Sequence, residues 1–203
     1  MSVCSVNSKS WGLKWFMKIK VFRYGKIKSS TNPNVYIIES LDWDDEENNR
    51  FEGKLLADML ELSGKQPMYK YIRTSQELEH FFEDFCDSEY RYLHISCHGN
   101  KNAISTTFGE ISFAGLADMM RGRLEGKRIF LSACEAVNLD LAEVIIPTSG
   151  CNSLIGPTTK LLTSDALIFW SSFYHIIFRE NPVKMNMGII KSTLLNLMKF
   201  TRN

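Results

Sequence analysis

No charge of either sign dominates this chain. Lys and Arg number 24 and Asp and Glu 23, a net +1, so nothing pulls it as a whole toward nucleic acid or an anionic membrane surface. No pair among its five cysteines (Cys4, Cys86, Cys97, Cys134 and Cys151) has CxxC spacing, and the count is odd. Neither a closed zinc site nor a disulfide framework is expected, and free thiols in a reducing compartment are. No uninterrupted apolar run opens the chain, because Lys14, Lys18, Lys20 and Arg23 break it up, and a signal peptide is not expected. The most apolar stretch, residues 166–178, is too short for a bilayer and carries Ser171, Ser172 and His175. There is no internal repeat and no long low-complexity segment. These absences lead to the expectation of a cytoplasmic protein with no membrane partner and no nucleic-acid partner.

What is present suffices for one domain. Of 203 residues, 44% are hydrophobic and 12% aromatic, enough to bury a core without a metal or disulfide staple. The charges are uneven: residues 1–34 hold seven bases and no acid, and six acids fall within residues 39–47. Residues 1–34 read as a basic, aromatic N-terminal extension. It begins with a polar stretch, alternates like a strand over 18–24, and ends in a turn-rich linker over 29–34. Its Trp11, Trp15, Phe16, Phe22 and Tyr24 interleave with lysines, as a nucleic-acid or lipid contact would. An edge strand or a propeptide covering a sheet is the preferred reading. Met17 is a second candidate start, which would leave residues 1–16 outside the protein.

From residue 35 the pattern is regular. Strands are expected over 35–41, 68–73, 92–97, 128–133 and 153–155. Helices are expected over 48–62, from Thr74 or Ser75 to 87, over 112–120, over 140–146 up to Pro147, and over 164–178 and 183–200. Strands alternating with helices predict an α/β domain over residues 35–203. It would hold a mostly parallel sheet of about five to six strands with helices on both faces.

Two strands end in reactive side chains. One runs Tyr92-Leu93-His94-Ile95-Ser96-Cys97 into His98-Gly99, the other Arg128-Ile129-Phe130-Leu131-Ser132-Ala133 into Cys134. In an open parallel sheet, ligands bind beyond the carboxyl ends of the strands. The 35 residues between His98 and Cys134 suffice for a right-handed crossover that makes the two strands neighbours. A thiol of pKa ~8.5 is mostly protonated at neutral pH, and the thiolate is the nucleophile. An adjacent imidazole takes that proton and later delivers it to the leaving amine. The backbone N–H groups of Gly99 and Cys134 are the natural donors to a developing oxyanion. The same residues are also compatible with a buried strand-end thiol and a histidine satisfied by backbone.

The segments LHISCHGN and IFLSACEA resemble the paired motifs of caspase-like (clan CD) cysteine peptidases, and more narrowly those of the CHAT subfamily. The positions that carry the resemblance are His94, Ser96, His98, Gly99, Leu131, Ser132, Ala133, Cys134 and Glu135. Ser153 to Gly156, Asp165-Ala166 and Phe173-Tyr174 extend it, so that it covers about residues 35–180. It implies a cysteine endopeptidase with Cys134 as nucleophile and His98 as base. It further implies limited proteolysis of a protein partner in bacterial defence or programmed cell death, with a gasdermin-like pore former or a regulatory sensor protein as partner. The alternatives are a catalytically silent interaction module and a thiol hydrolase acting on a small acyl substrate. The chain departs from the subfamily in lacking fused helical repeats, in Ala136-Val137 where Thr-Gly is usual, and in having no clear final strand over 184–203.

The resemblance also places the pocket for the residue before the scissile bond. It would lie among strand one, the residues just before the cysteine (Ser132 among them), and the loop after strand five. Asp165 at the end of that loop is then a candidate partner for a basic substrate side chain, or a first-turn helix acid behind a Ser164 cap. Glu135 is open to the same two readings. No cofactor and no metal are expected. His94 reads as a buried structural histidine, Cys97 as core packing on the opposite face from His98, and Cys151 as unremarkable. The acids of residues 42–47 read as a solvated loop or as part of the same sheet edge, where they could hold calcium.

Overall fold

The computed structural model describes residues 2–5, 19–23 and 32–200. Residues 29–31 of the expected turn-rich linker and most of the aromatic, basic stretch, including Trp11, Trp15 and Phe16, lie outside them, while residues 32–34 of that linker begin a strand instead. In chain order the described elements open with β1 (Ser2–Ser5), β2 (Ile19–Arg23), β3 (Asn32–Glu39), α1 (Trp43–Glu47), α2 (Glu52–Leu62) and β4 (Met68–Tyr71). Next come α3 (Ser75–Asp87), β5 (Tyr90–Ser96), β6 (His98–Gly99), β7 (Ala103–Thr106), β8 (Gly109–Ser112), α4 (Phe113–Met119) and β9 (Arg128–Ser132). The chain closes with α5 (Leu139–Ser149), β10 (Ser153–Pro157), α6 (Thr163–Glu180) and α7 (Met187–Phe200).

The main sheet has seven strands in the order β1-β2-β10-β9-β5-β3-β4. Five of them, β10, β9, β5, β3 and β4, are mutually parallel, as strand-helix alternation requires. Residues 32–157 contribute five of these strands, within the expected five to six, and the N-terminal extension adds the other two. β2 pairs antiparallel with β10, and β1 with β2. Ile19, Val21 and Phe22 of β2 are buried, so this part of the extension is core.

Side-chain parity builds two cores from the same strands, because successive residues of a strand face opposite sides. Tyr36, Ile38, Leu93, Ile95, Ile129, Leu131 and Leu154 pack with α3, α4 and α5. Val35, Ile37, Tyr92, Phe130 and Ile155 pack with α2, α6 and α7. Strands covered on both faces read as continuous apolar runs, which is why these segments were legible. β10 fits against β9 only because residue 156 is glycine: a Cβ there would lie 2.1 Å from the Leu131 carbonyl oxygen.

Boundaries moved where local chemistry was misread. The helix expected over 48–62 starts only at Glu52, because residues 48–51 form a turn in which Asn49 has φ 55°, and the acids before that turn form a further short helix, α1. α5 continues through Pro147 to the left-handed Gly150, φ 74°. Proline there removes one bond near the end of the helix, and the glycine supplies the stop. α6 starts behind Leu162, which makes no side-chain cap bond, so Ser164 is not the cap. The Thr74 cap of α3 is present as a reciprocal capping box with Glu77, worth about 1 kcal/mol. Among the described residues, no helix is long and apolar enough to cross a membrane.

Candidate active site

The parallel pairing of β5 and β9 sets the site. Ser96 lies opposite Ser132, so His98 and Cys134 each stand two residues beyond a paired position, at neighbouring carboxyl ends. A second contact brings their backbones together. A Cβ on Gly99 would lie 3.0 Å from Ala133 Cβ and 3.3 Å from the Cys134 carbonyl oxygen. His98-Gly99 therefore packs directly on the turn that carries Cys134, and only glycine leaves that room. Glu135, next after the cysteine, has φ 58°, a left-handed conformation uncommon for a residue with a side chain. The turn is tied to the segment after β10 by Glu135 N–H to Thr159 O, and to the end of β10 itself by Val137 N–H to Pro157 O. His98 and Cys134 line one cleft with Leu41, Asp45, Glu52, Ser96, Cys97 and Ser132.

Each reactive group has a partner from another element. His98 Nε2 lies 2.8 Å from Asp45 Oδ2 and 3.4 Å from Asp42 Oδ2. Asp45 is buried, and its other oxygen receives Arg50 Nη1 at 2.6 Å. Asp42 caps α1, with Oδ1 accepting from Asp45 N–H. The short helix thus fixes the carboxylate that fixes the imidazole. Among the described residues only Nε2 of this ring has a polar partner. The Cys134 thiol lies 3.4 Å from the Leu161 carbonyl and 3.3 Å from its N–H. No hydrogen bond joins His98 to Cys134 in this state. Catalytic hydrogen bonds are often long before substrate arrives.

Of the two readings of the acids of residues 42–47, Asp42 and Asp45 follow the second: they sit at the sheet edge against His98, a pairing that the sequence alone did not reveal. Asp42, Asp45 and His98 also each offer a ligand atom within 4.8 Å of the others, the one such grouping among the described residues that could hold a metal ion.

Beneath the cleft lie groups that single-strand motifs did not reveal. Glu52, in the first turn of α2, is buried, and its Oε2 accepts from Ser96 Oγ and Ser132 Oγ, both at 3.1 Å. Ser132 is therefore in the cleft wall, bonded to an acid. Glu39, at the end of β3, accepts from Gly53 N–H at 2.6 Å, Lys54 N–H at 3.1 Å and Tyr69 O–H at 2.8 Å. It caps α2 from a distant strand, since Phe51 at the cap position offers no side-chain acceptor. Burial pushes the Glu39 carboxyl up to about 7, against the lowering effect of these donors. The one sequence signal was the Glu52-Gly53 pair. A Cβ at Gly53 would lie 3.1 Å from Glu39 and Ile37, so the glycine lets the start of the helix settle on the strand.

The other residues singled out by sequence fall as follows. Asp165 is exposed in the first turn of α6 and is not among the residues that line the cleft. Glu135 is half-buried beside Cys134. His94 is fully buried, with Nδ1 3.1 Å from Tyr174 O–H and its ring edge-on to Trp170. Cys97 packs against the core and also borders the cleft; burial, with the Glu52 charge adding, pushes its thiol up to about 12. Burial likewise raises the Cys86 and Cys151 thiols to about 11.

No protein-family model matches the sequence, and no curated protein matches it. Among solved structures, the chain is similar to the crystal structure of the Arg-specific cysteine proteinase gingipain R. The two are 13% identical, with a TM-score of 0.54 over 87% of this chain and 44% of that one. The chain thus spans less than half the length of that proteinase. At this identity the likeness is one of fold: a caspase-like α/β domain, with a mostly parallel sheet between two layers of helices.

Proposed function

We propose that this chain is a cysteine endopeptidase with Cys134 as nucleophile and His98 as general base and acid. One observation carries the reading. Two adjacent parallel strands, in register, deliver a thiol and an imidazole to one cleft, and the imidazole is clamped through Nε2 by the buried Asp45. The clamp favours the tautomer with hydrogen on Nε2, whose Nδ1 lone pair can accept the thiol proton. The thiolate then attacks the scissile carbonyl carbon, and the carbonyl electron pair moves onto oxygen, facing the Gly99 and Cys134 N–H groups. Collapse of this intermediate breaks the C–N bond, and His98 gives the proton to the departing amine. Water, deprotonated by the same imidazole, hydrolyses the thioester and frees Cys134. Asp45 acts through His98 as a positioning residue.

The substrate is a protein cut at limited sites. The CHAT-like motifs and the fold of a neighbour that is itself a cysteine proteinase support this class. The same motifs favour a role in defence or cell-death signalling in the cytoplasm, with a gasdermin-like pore former or a sensor protein as partner. The test is incubation with a peptide library, with the cleaved bonds mapped by mass spectrometry, beside labelling of Cys134 by an electrophilic peptide. Cleavage and labelling are expected, and both should vanish in Cys134→Ala. Labelling without cleavage would identify a silent interaction module. Turnover of thioesters but not peptides would identify a small-molecule thiol hydrolase.

A further inference from the structure

The floor of the cleft holds a carboxyl group that no Lys or Arg of the described residues pairs with. Glu52 is 5% exposed. Its Oε2 takes two neutral hydroxyls, while its Oε1 is buried and has no hydrogen-bond partner. His94 Nε2 lies 3.7 Å from Oε1 and is itself without a hydrogen bond. Among the described residues, no Lys or Arg forms an ion pair with Glu52. Arg50, two residues earlier, is committed to Asp44 and Asp45. Buried carboxylates are ordinarily paired with a cation or saturated with donors, because leaving one short costs several kcal/mol.

Resting on the peptidase reading above, we propose that Glu52 is the specificity-determining acid of this cleft and receives the basic side chain of a residue adjoining the scissile bond. Glu52 opens onto the same cleft as the Cys134 thiol, so the side chain it meets belongs to a residue next to the reacting carbonyl. Ser96 and Ser132 complete the site. Each hydroxyl gives its hydrogen to Glu52 and keeps oxygen lone pairs, which can accept from the same guanidinium or ammonium. A cation brought in by substrate supplies the charge the floor lacks, and a neutral side chain leaves it lacking. This is the condition under which a polar site rejects isosteres strongly. Asp165, the acid that sequence alone nominates, lies outside the cleft lining and is exposed to water, where screening leaves an ion pair worth little.

The experiment uses peptides that differ only at the two positions flanking the cut, carrying Arg, Lys, the neutral isostere citrulline, or norleucine. The full-length chain should cleave the Arg peptide with kcat/KM about 100-fold or more above citrulline. That ratio should fall to within a few-fold of one in Glu52→Gln and persist in Asp165→Asn. The ratio in the unmutated chain keeps the test valid if Glu52→Gln folds poorly. A ratio near one in that chain, or one that collapses in Asp165→Asn and survives in Glu52→Gln, overturns the assignment. Binding of benzamidine to Cys134→Ala, followed by calorimetry, reads the site without turnover and should be lost in Cys134→Ala/Glu52→Gln. Peptides cut regardless of charge would overturn the cation site and leave the peptidase reading intact. Benzamidine bound through Glu52 with no peptide cut would uphold the site and overturn the peptidase reading.

Discussion

Glu39 and Glu52 are two buried carboxyls at the same end of the sheet, and the chain treats them differently. Glu39 is saturated by donors from its own protein: two N–H groups at the start of α2 and a tyrosine hydroxyl. Glu52 has two hydroxyls on one oxygen and no hydrogen bond on the other, where His94 Nε2 stands 3.7 Å away. The first is a structural cap, and its loss should appear as instability. The second has spare bonding capacity directed at a cleft, and its loss should appear as altered selectivity. Burial alone does not tell a functional acid from a structural one; the count of donors does.

The largest expected effect leaves both acids intact. Cys134→Ala should abolish peptide cleavage, a fall of many orders of magnitude, while the fold survives because the half-buried thiol fills little space. Circular dichroism and chemical denaturation should match the unmutated chain, and residual turnover would refute the nucleophile. His98→Ala should be equally inactive. The double variant should lose no more than either single one, since the two groups act as a unit.

Asp45→Asn comes next and draws the same contrast at the rim of the cleft. The amide keeps the shape but can hold the ring in the wrong tautomer, so kcat should fall about 100-fold or more. KM should change little, and Cys134 should still react with iodoacetamide. A change confined to KM would place Asp45 in substrate binding instead.

Glu39 then gives the stability arm. Its folded-state carboxyl is raised to about 7, so between its ordinary value and pH 7 the folded protein holds a proton that the unfolded chain has released. Stability should therefore decline as pH rises through that window, by on the order of 3 kcal/mol. Urea titrations across that range should lose this slope in Glu39→Gln. An unchanged slope would show that another group carries it.

The smallest effect concerns the other thiols. Cys97→Ser should cost about 1–2 kcal/mol or less of stability and little activity, even though Cys97 borders the cleft. At neutral pH, iodoacetamide should modify Cys134 before Cys86, Cys97 or Cys151, whose thiols burial raises. Tryptic mass mapping gives the order directly.

Much of this was legible in the chain because local chemistry repeats at short range. Apolar runs at 35–41, 92–97 and 128–133 marked strands covered on both faces. Thr74, one of the two residues expected to open α3, caps it, and Ser112 caps α4. His98 and Cys134 were readable as reactive residues at strand ends, because parallel sheets put such ends at one edge. By itself, then, the sequence determined the α/β class, the central strands and the candidate dyad. The tertiary structure decided what depends on long-range pairing: that β2 joins β10, that Asp45 reaches His98 across 53 positions, and that Ser132 donates to Glu52 across 80. It also separated Glu39 from Glu52 and left Asp165 outside the cleft. No periodicity reports how many donors meet a buried oxygen, because those donors come from strands and helices distant in the chain.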